Sequence, residues 1–125
     1  MSEPKTILLV EDDAPDVVLA KKSIQNLWPD ATVIPVQSLG EAYEEYKQNN
    51  FDLVLLDLNL PDAYGANTVQ EMRRFNKTVP IVVVTGLAND GVVNGALKLG
   101  ANHVMLKSQI MTDDFVDILK QHTEK

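Results

Sequence analysis

The sequence predicts an α/β fold, a (βα)5 doubly wound parallel five-stranded sheet with strand order 2-1-3-4-5. Three observations lead there. Short apolar runs alternate with segments of helical periodicity, the pattern of βα units around a parallel sheet. The runs Leu53–Leu56 and Ile81–Val84 are apolar without interruption, as strands covered on both faces are. Each of four runs also ends on polar groups: Ile7–Val10 on Glu11-Asp12-Asp13, Leu53–Leu56 on Asp57, Ile81–Val84 on Thr85, and Val104–Leu106 on Lys107. In parallel strands these groups share one carboxyl edge, where open α/β sheets bind ligands.

Lys5–Val10 is the first strand. Pro15 opens the first helix, since its missing N–H is not needed in the first turn. Val17, Ala20, Lys21, Ile24 and Leu27 recur there at helical spacing until Pro29 ends it. Thr32–Val36 is the second strand. Ser38-Leu39-Gly40-Glu41 matches a capping box and starts a helix through Gln48, closed by Asn49-Asn50. Phe51–Leu56 is the third strand, Leu60–Gly65 a loop, and Ala66–Phe75 the third helix. Val79–Thr85 is the fourth strand, followed by a helix over Asn89–Leu99 with Gly100 as its C-terminal cap. His103–Leu106 is the fifth strand, and Thr112–His122 closes the fold with Asp113 and Asp114 in its first turn. The switch point falls between strands 1 and 3, which carry Asp12 and Asp57.

A length of 125 residues fits one domain, 1–125, without internal repeats or linkers. No apolar stretch approaches the roughly 20 residues of a membrane-spanning helix, so membrane insertion is not expected. Met1-Ser2-Glu3-Pro4-Lys5 lacks the apolar core of a signal peptide. The absence of cysteine excludes disulfides, thiol catalysis and thiolate metal sites, and fits a cytoplasmic protein. A net charge of −7 argues against a nucleic-acid partner, and Lys21-Lys22 and Arg73-Arg74 are too sparse to alter that.

The strand-end groups suit magnesium-assisted phosphoryl transfer, which depends on positioning and charge neutralisation. Asp57 can act as the nucleophile, giving an acyl phosphate. Glu11 and Asp12 offer the hard oxygens Mg²⁺ prefers, and the Asn59 backbone carbonyl is a further candidate ligand. Lys107 can pair with one phosphate oxygen as a point charge, and Thr85 can hydrogen-bond another. Asp13, nearest Pro15, reads instead as a helix cap. His103 and His122 read as surface residues, and Trp28, Tyr43, Tyr46 and Tyr64 as packing groups.

Together, Leu9-Val10-Glu11-Asp12, Leu55-Leu56-Asp57-Leu58-Asn59-Leu60-Pro61, Val84-Thr85-Gly86 and Leu106-Lys107 resemble the receiver domain of two-component response regulators. The resemblance covers nearly the whole chain and implies a flavodoxin-like sheet of the CheY-like type. It implies that Asp57 takes a phosphoryl group from a phosphohistidine of a sensor histidine kinase or phosphotransfer protein. It further implies that Mg²⁺ is held by Asp12, Asp57 and the Asn59 carbonyl, with Glu11 acting through water, and that Thr85 and Lys107 touch the phosphoryl group. Such a module is not a conventional enzyme. Standing alone, it signals to a downstream protein or a relay, as a monomer or as a weak dimer through its fourth helix, fifth strand and fifth helix.

Two departures stand out. Ser108 replaces the proline the family usually has after the lysine, which predicts a trans Lys107–Ser108 peptide. Val104 replaces the usual aromatic or histidine three residues before it, so activation cannot be reported by a swinging ring. Gly86-Leu87 and Ser108-Gln109 resemble a divergent subgroup. Competing functions are an FMN redox carrier, whose phosphate Glu11-Asp12-Asp13 would repel, and a phosphohydrolase, which would want a second acid where Asn59 stands. A receiver-like scaffold that is never phosphorylated is a further alternative.

Overall fold

The computed structural model describes residues 5–86 and 88–123. The segment Met1-Ser2-Glu3-Pro4 and Leu87, both read above, lie outside the described residues. The strands are β1 (Thr6–Val10), β2 (Thr32–Val36), β3 (Leu53–Leu56), β4 (Asn59–Leu60), β5 (Ala63–Tyr64), β6 (Ile81–Thr85) and β7 (His103–Leu106). The helices are α1 (Ala14–Leu27), α2 (Leu39–Tyr46), α3 (Asn67–Arg73), α4 (Asp90–Lys98) and α5 (Asp113–Thr123). Five strands form one sheet in the order β2-β1-β3-β6-β7, every pair parallel. This is the expected 2-1-3-4-5 order once β4 and β5, a small antiparallel hairpin, are set aside. The sequence reading made that hairpin a loop, because strands of two residues carry no periodicity.

Alternation along each strand divides the core in two. Leu8, Val10, Val54, Leu56, Ile81 and Val83 face one side, where Leu39 and Ala42 of α2, Val69 and Met72 of α3, and Ala96 of α4 cover them. Ile7, Leu9, Leu53, Leu55, Val82 and Val84 face the other, against Ala20 and Ile24 of α1 and Phe115 and Leu119 of α5. Burial on both faces is why β3 and β6 tolerate no polar residue before their ends. The outermost strand β2 carries Pro35, opposite Leu9 of β1.

Helix ends follow local chemistry. The Asp13 carboxylate accepts a hydrogen bond from Asp16 N–H at 3.1 Å, capping α1 as expected. Lys21, placed on the apolar stripe of α1 by its spacing, is exposed. Ser23 is buried instead, because its hydroxyl donates to the Ile110 carbonyl at 2.8 Å. Ser38 caps α2 by accepting from Glu41 N–H at 3.1 Å, while Glu41 reaches back to Gln37 N–H at 3.1 Å. Gly100 ends α4 at φ +121°, a left-handed conformation. Ala101 N–H bonds to the Ala96 carbonyl and Gly100 N–H to the Leu97 carbonyl.

Arg73 ties this end of the fold together. Its guanidinium donates to the Gly100 carbonyl at 3.0 and 2.6 Å, the Val79 carbonyl at 2.7 Å, the Asn76 carbonyl at 3.3 Å and Asn102 Oδ1 at 3.1 Å. No described peptide bond is cis, Lys107–Ser108 included, as expected with Ser108 in the place of proline. No described helix is long and apolar enough to cross a membrane.

Candidate functional site

The strand registers bring the polar ends together. Val10 of β1 lies opposite Leu56 of β3, so Glu11 and Asp57 follow side by side. Their backbones stay in register past the strand ends: Asp57 N–H donates to the Val10 carbonyl at 3.0 Å, and Glu11 N–H to the Val36 carbonyl at 2.9 Å. Thr85 of β6 sits opposite Leu106 of β7, one residue before Lys107. Glu11 and Asp57 are buried and Asp12 is exposed, and carboxylate oxygens of all three lie within 4.8 Å of one another. Three hard anionic donors so close suit a divalent cation with oxygen ligands.

Lys107 reaches into this cluster from the 3₁₀ turn Lys107–Gln109. Its ammonium lies 2.7 Å from Asp16 Oδ2, 2.9 Å from Glu11 Oε1 and 3.6 Å from Asp57 Oδ2. Burial works against its charge, but hydrogen bonds to Asp16 and Glu11 and the charge of Asp57 outweigh it, holding the ammonium well above the ordinary lysine value. Burial lifts the Glu11 carboxyl to about 7; the Lys107 hydrogen bond opposes that rise, and Asp57 adds to it. Asp13 N–H donates to Glu11 Oε2 at 3.2 Å, fixing that carboxylate from its other side.

Beside Asp57 opens a cavity of about 280 Å³, lined among others by Asn59, Tyr64, Thr85, Gly86 and Lys107. Turning the chain back through the β4–β5 hairpin sets Asn59 and Tyr64 on its wall, and Gly65, at φ +77°, follows the hairpin with its N–H on the Leu58 carbonyl at 2.7 Å. A larger hollow of about 380 Å³ lies between α2 and α3, against Tyr43, Asp62 and Phe75, and collects none of the strand-end groups.

Every residue read as part of the site is therefore at one place: Glu11, Asp12 and Asp57 in the acidic cluster, and Asn59, Thr85 and Lys107 around the adjoining cavity. Two neighbours were missed. Tyr64, expected to be a packing group, is 79% exposed at the end of β5, opposite Asn59. Asp16 pairs with a lysine 91 residues away, and only its place in the first turn of α1 hints at a role. The histidines are not simply surface residues, for the His103 and His122 rings lie half-buried, 5.9 Å apart, on β7 and α5.

The chain matches the response regulator receiver domain family over residues 7–120. It is 36% identical over 120 residues to the nitrate/nitrite response regulator protein NarL of Escherichia coli K12, a match covering 95% of this chain and 55% of that protein. The chain thus spans about half the length of that relative. It is 33% identical over 124 residues to the response regulator Rcp1 of Synechocystis, covering 90% of this chain and 82% of Rcp1. The solved Mn²⁺-bound form of Rcp1 superposes with a TM-score of 0.77 at 25% identity, covering 98% of this chain and 96% of that one. The phosphorylated cyanobacterial phytochrome response regulator RcpA gives a TM-score of 0.79 at 25% identity, covering 97% and 94%. With the doubly wound sheet and its acidic carboxyl edge, these matches make the chain a member of the response regulator receiver domain family.

Proposed function

We propose that this receiver accepts a phosphoryl group on Asp57 and passes the change of state on through protein contacts. The observation that carries this reading is a buried strand-end carboxylate between an acidic cluster and a lysine ammonium, facing a cavity. Oδ of Asp57 attacks the phosphorus of a phosphohistidine, an O–P bond forms as the P–N bond breaks, and the imidazole keeps the electron pair and takes up a proton. Thr85 and Lys107 on the cavity wall receive the phosphoryl oxygens.

The donor set fits Mg²⁺. Asp12, Asp57 and the Asn59 carbonyl would hold it, with Glu11 behind them, and Rcp1 in its Mn²⁺-bound form offers a related case. The ion supplies charge neutralisation between two anions, the carboxylate and the incoming phosphate. Without a cation the clustered acids are relieved by Lys107 alone among the ion pairs described here.

The phosphodonor in this reading is a sensor histidine kinase or a phosphotransfer protein. Its output surface is the face of α4, β7 and α5, which also serves any weak dimer. Val104 packs half-buried against the core on that side, so position 104 itself offers no ring that could move.

Intact-mass analysis after incubation with acetyl phosphate and Mg²⁺ should show one added phosphoryl group, absent from Asp57→Asn. A phosphoryl group that persists in Asp57→Asn removes Asp57 as the acceptor.

A further inference from the structure

The tightest partner of the Lys107 ammonium is Asp16, at 2.7 Å, ahead of Glu11 at 2.9 Å and Asp57 at 3.6 Å. An ammonium has three donors, and two are committed to short bonds while Asp57 stays beyond hydrogen-bond range. The two short bonds are not equivalent. Glu11 is buried and dependent on its cation, whereas the Asp16 side chain is 25% exposed. Asp16 also lies in the first turn of α1, where the helix favours negative charge. Asp16 is therefore the carboxylate that can release the lysine at least cost.

We propose that Asp16 is a positioning residue that draws Lys107 away from Asp57, competing for its ammonium with the phosphoryl group and so lowering the site's affinity for that group. The inference rests on the phosphoacceptor reading above. A phosphoryl group brings about −1.5 to −2 charge and three acceptor oxygens, enough to recruit Lys107, but only by breaking the Asp16 bond. The unphosphorylated state is thereby favoured by whatever that bond contributes. Asp16 needs no contact with the phosphoryl group, since it acts through the lysine.

The test uses beryllofluoride with saturating Mg²⁺ as a phosphoryl mimic, titrated into the full chain and followed by amide NMR. Asp16→Asn and Asp16→Ser should bind it about three- to fivefold more tightly, the upper scale of one partly exposed ion pair. Asp16→Glu, which keeps a competing carboxylate, should stay within twofold of wild type. Asp13→Asn removes the same charge nearby, preserves a competent cap, and should also stay within twofold. In a Lys107→Ala background the Asp16→Asn gain should vanish.

Unchanged or weaker binding in Asp16→Asn and Asp16→Ser overturns the proposal. An equal gain in Asp13→Asn, or a gain that survives Lys107→Ala, also overturns it by reducing the effect to bulk charge. If Lys107→Ala abolishes binding, the Asp13→Asn comparison decides alone. Failure of the wild type to bind beryllofluoride removes both the phosphoacceptor reading and this one. A wild type that binds while Asp16 variants match it removes this one only.

Discussion

Replacing Asp12 by asparagine separates the cost of gathering the acidic cluster from the benefit of filling it. Asp12 shares a 4.8 Å neighbourhood with Glu11 and Asp57. Two unit charges at that separation repel by about 0.9 kcal/mol in water and about 3.5 kcal/mol at an effective dielectric of 20. Asp12 is exposed, so the lower figure applies, and Lys107 relieves part of what its neighbours contribute. In chelator, Asp12→Asn should be about 1 kcal/mol more stable than wild type. Mg²⁺ at 100-fold its dissociation constant adds about 2.7 kcal/mol to the wild type. A tenfold weaker site gains only about 1.4 kcal/mol at the same concentration. The difference between the two proteins should then close on adding Mg²⁺. Urea unfolding in EDTA and in Mg²⁺ measures all four values. A mutant no more stable than wild type in EDTA, or with an equal Mg²⁺ gain, refutes the reasoning.

Arg73→Met strips hydrogen bonds from the Gly100, Val79 and Asn76 carbonyls and should cost about 2–4 kcal/mol in urea unfolding. Arg73→Lys should recover less than half, because a point donor cannot span these carbonyls. Burial, then the charge of nearby His122, holds the His103 pKa below 6.5, so the stability it contributes is complete above that value and is lost as pH falls through the lowered pKa. Between pH 7.5 and 5, His103→Gln should therefore lose less stability than wild type; equal losses would count against the contact. Beryllofluoride and Mg²⁺ should shift amide resonances of α4 and β7 as well as the site loops, and shifts confined to the loops would refute the proposed output face.

The strand ends were legible because uninterrupted burial leaves the first polar residue conspicuous. Asp57 after Leu53–Leu56 and Thr85 after Ile81–Val84 are examples. Caps were legible for a related reason, since Asp13 and Ser38 act within three residues of themselves. Pairings that the fold alone creates were not. Nothing near Asp16 announces Lys107, and nothing near Arg73 announces the carbonyl of Gly100. Nor does anything near Ser23 announce the Ile110 carbonyl to which its buried hydroxyl donates. Tyr64 was misread because aromatic residues are usually buried, and only the turn at Gly65 shows it thrown outward.

Pro35 bears on how copies of this chain can meet. In β2, Thr32 donates inward to the Lys5 carbonyl and Val36 accepts inward from Glu11 N–H. By alternation, Pro35 turns its backbone nitrogen toward the open margin of the sheet. The ring thus deletes a donor from the free edge without breaking any bond to β1. A foreign strand seeking to extend the sheet there meets a gap in the ladder and a bulky ring, a standard protection against fibrous self-association. Strand pairing through the β2 margin is thereby disfavoured, which leaves the β7 edge and the helical surfaces as the places where copies can meet.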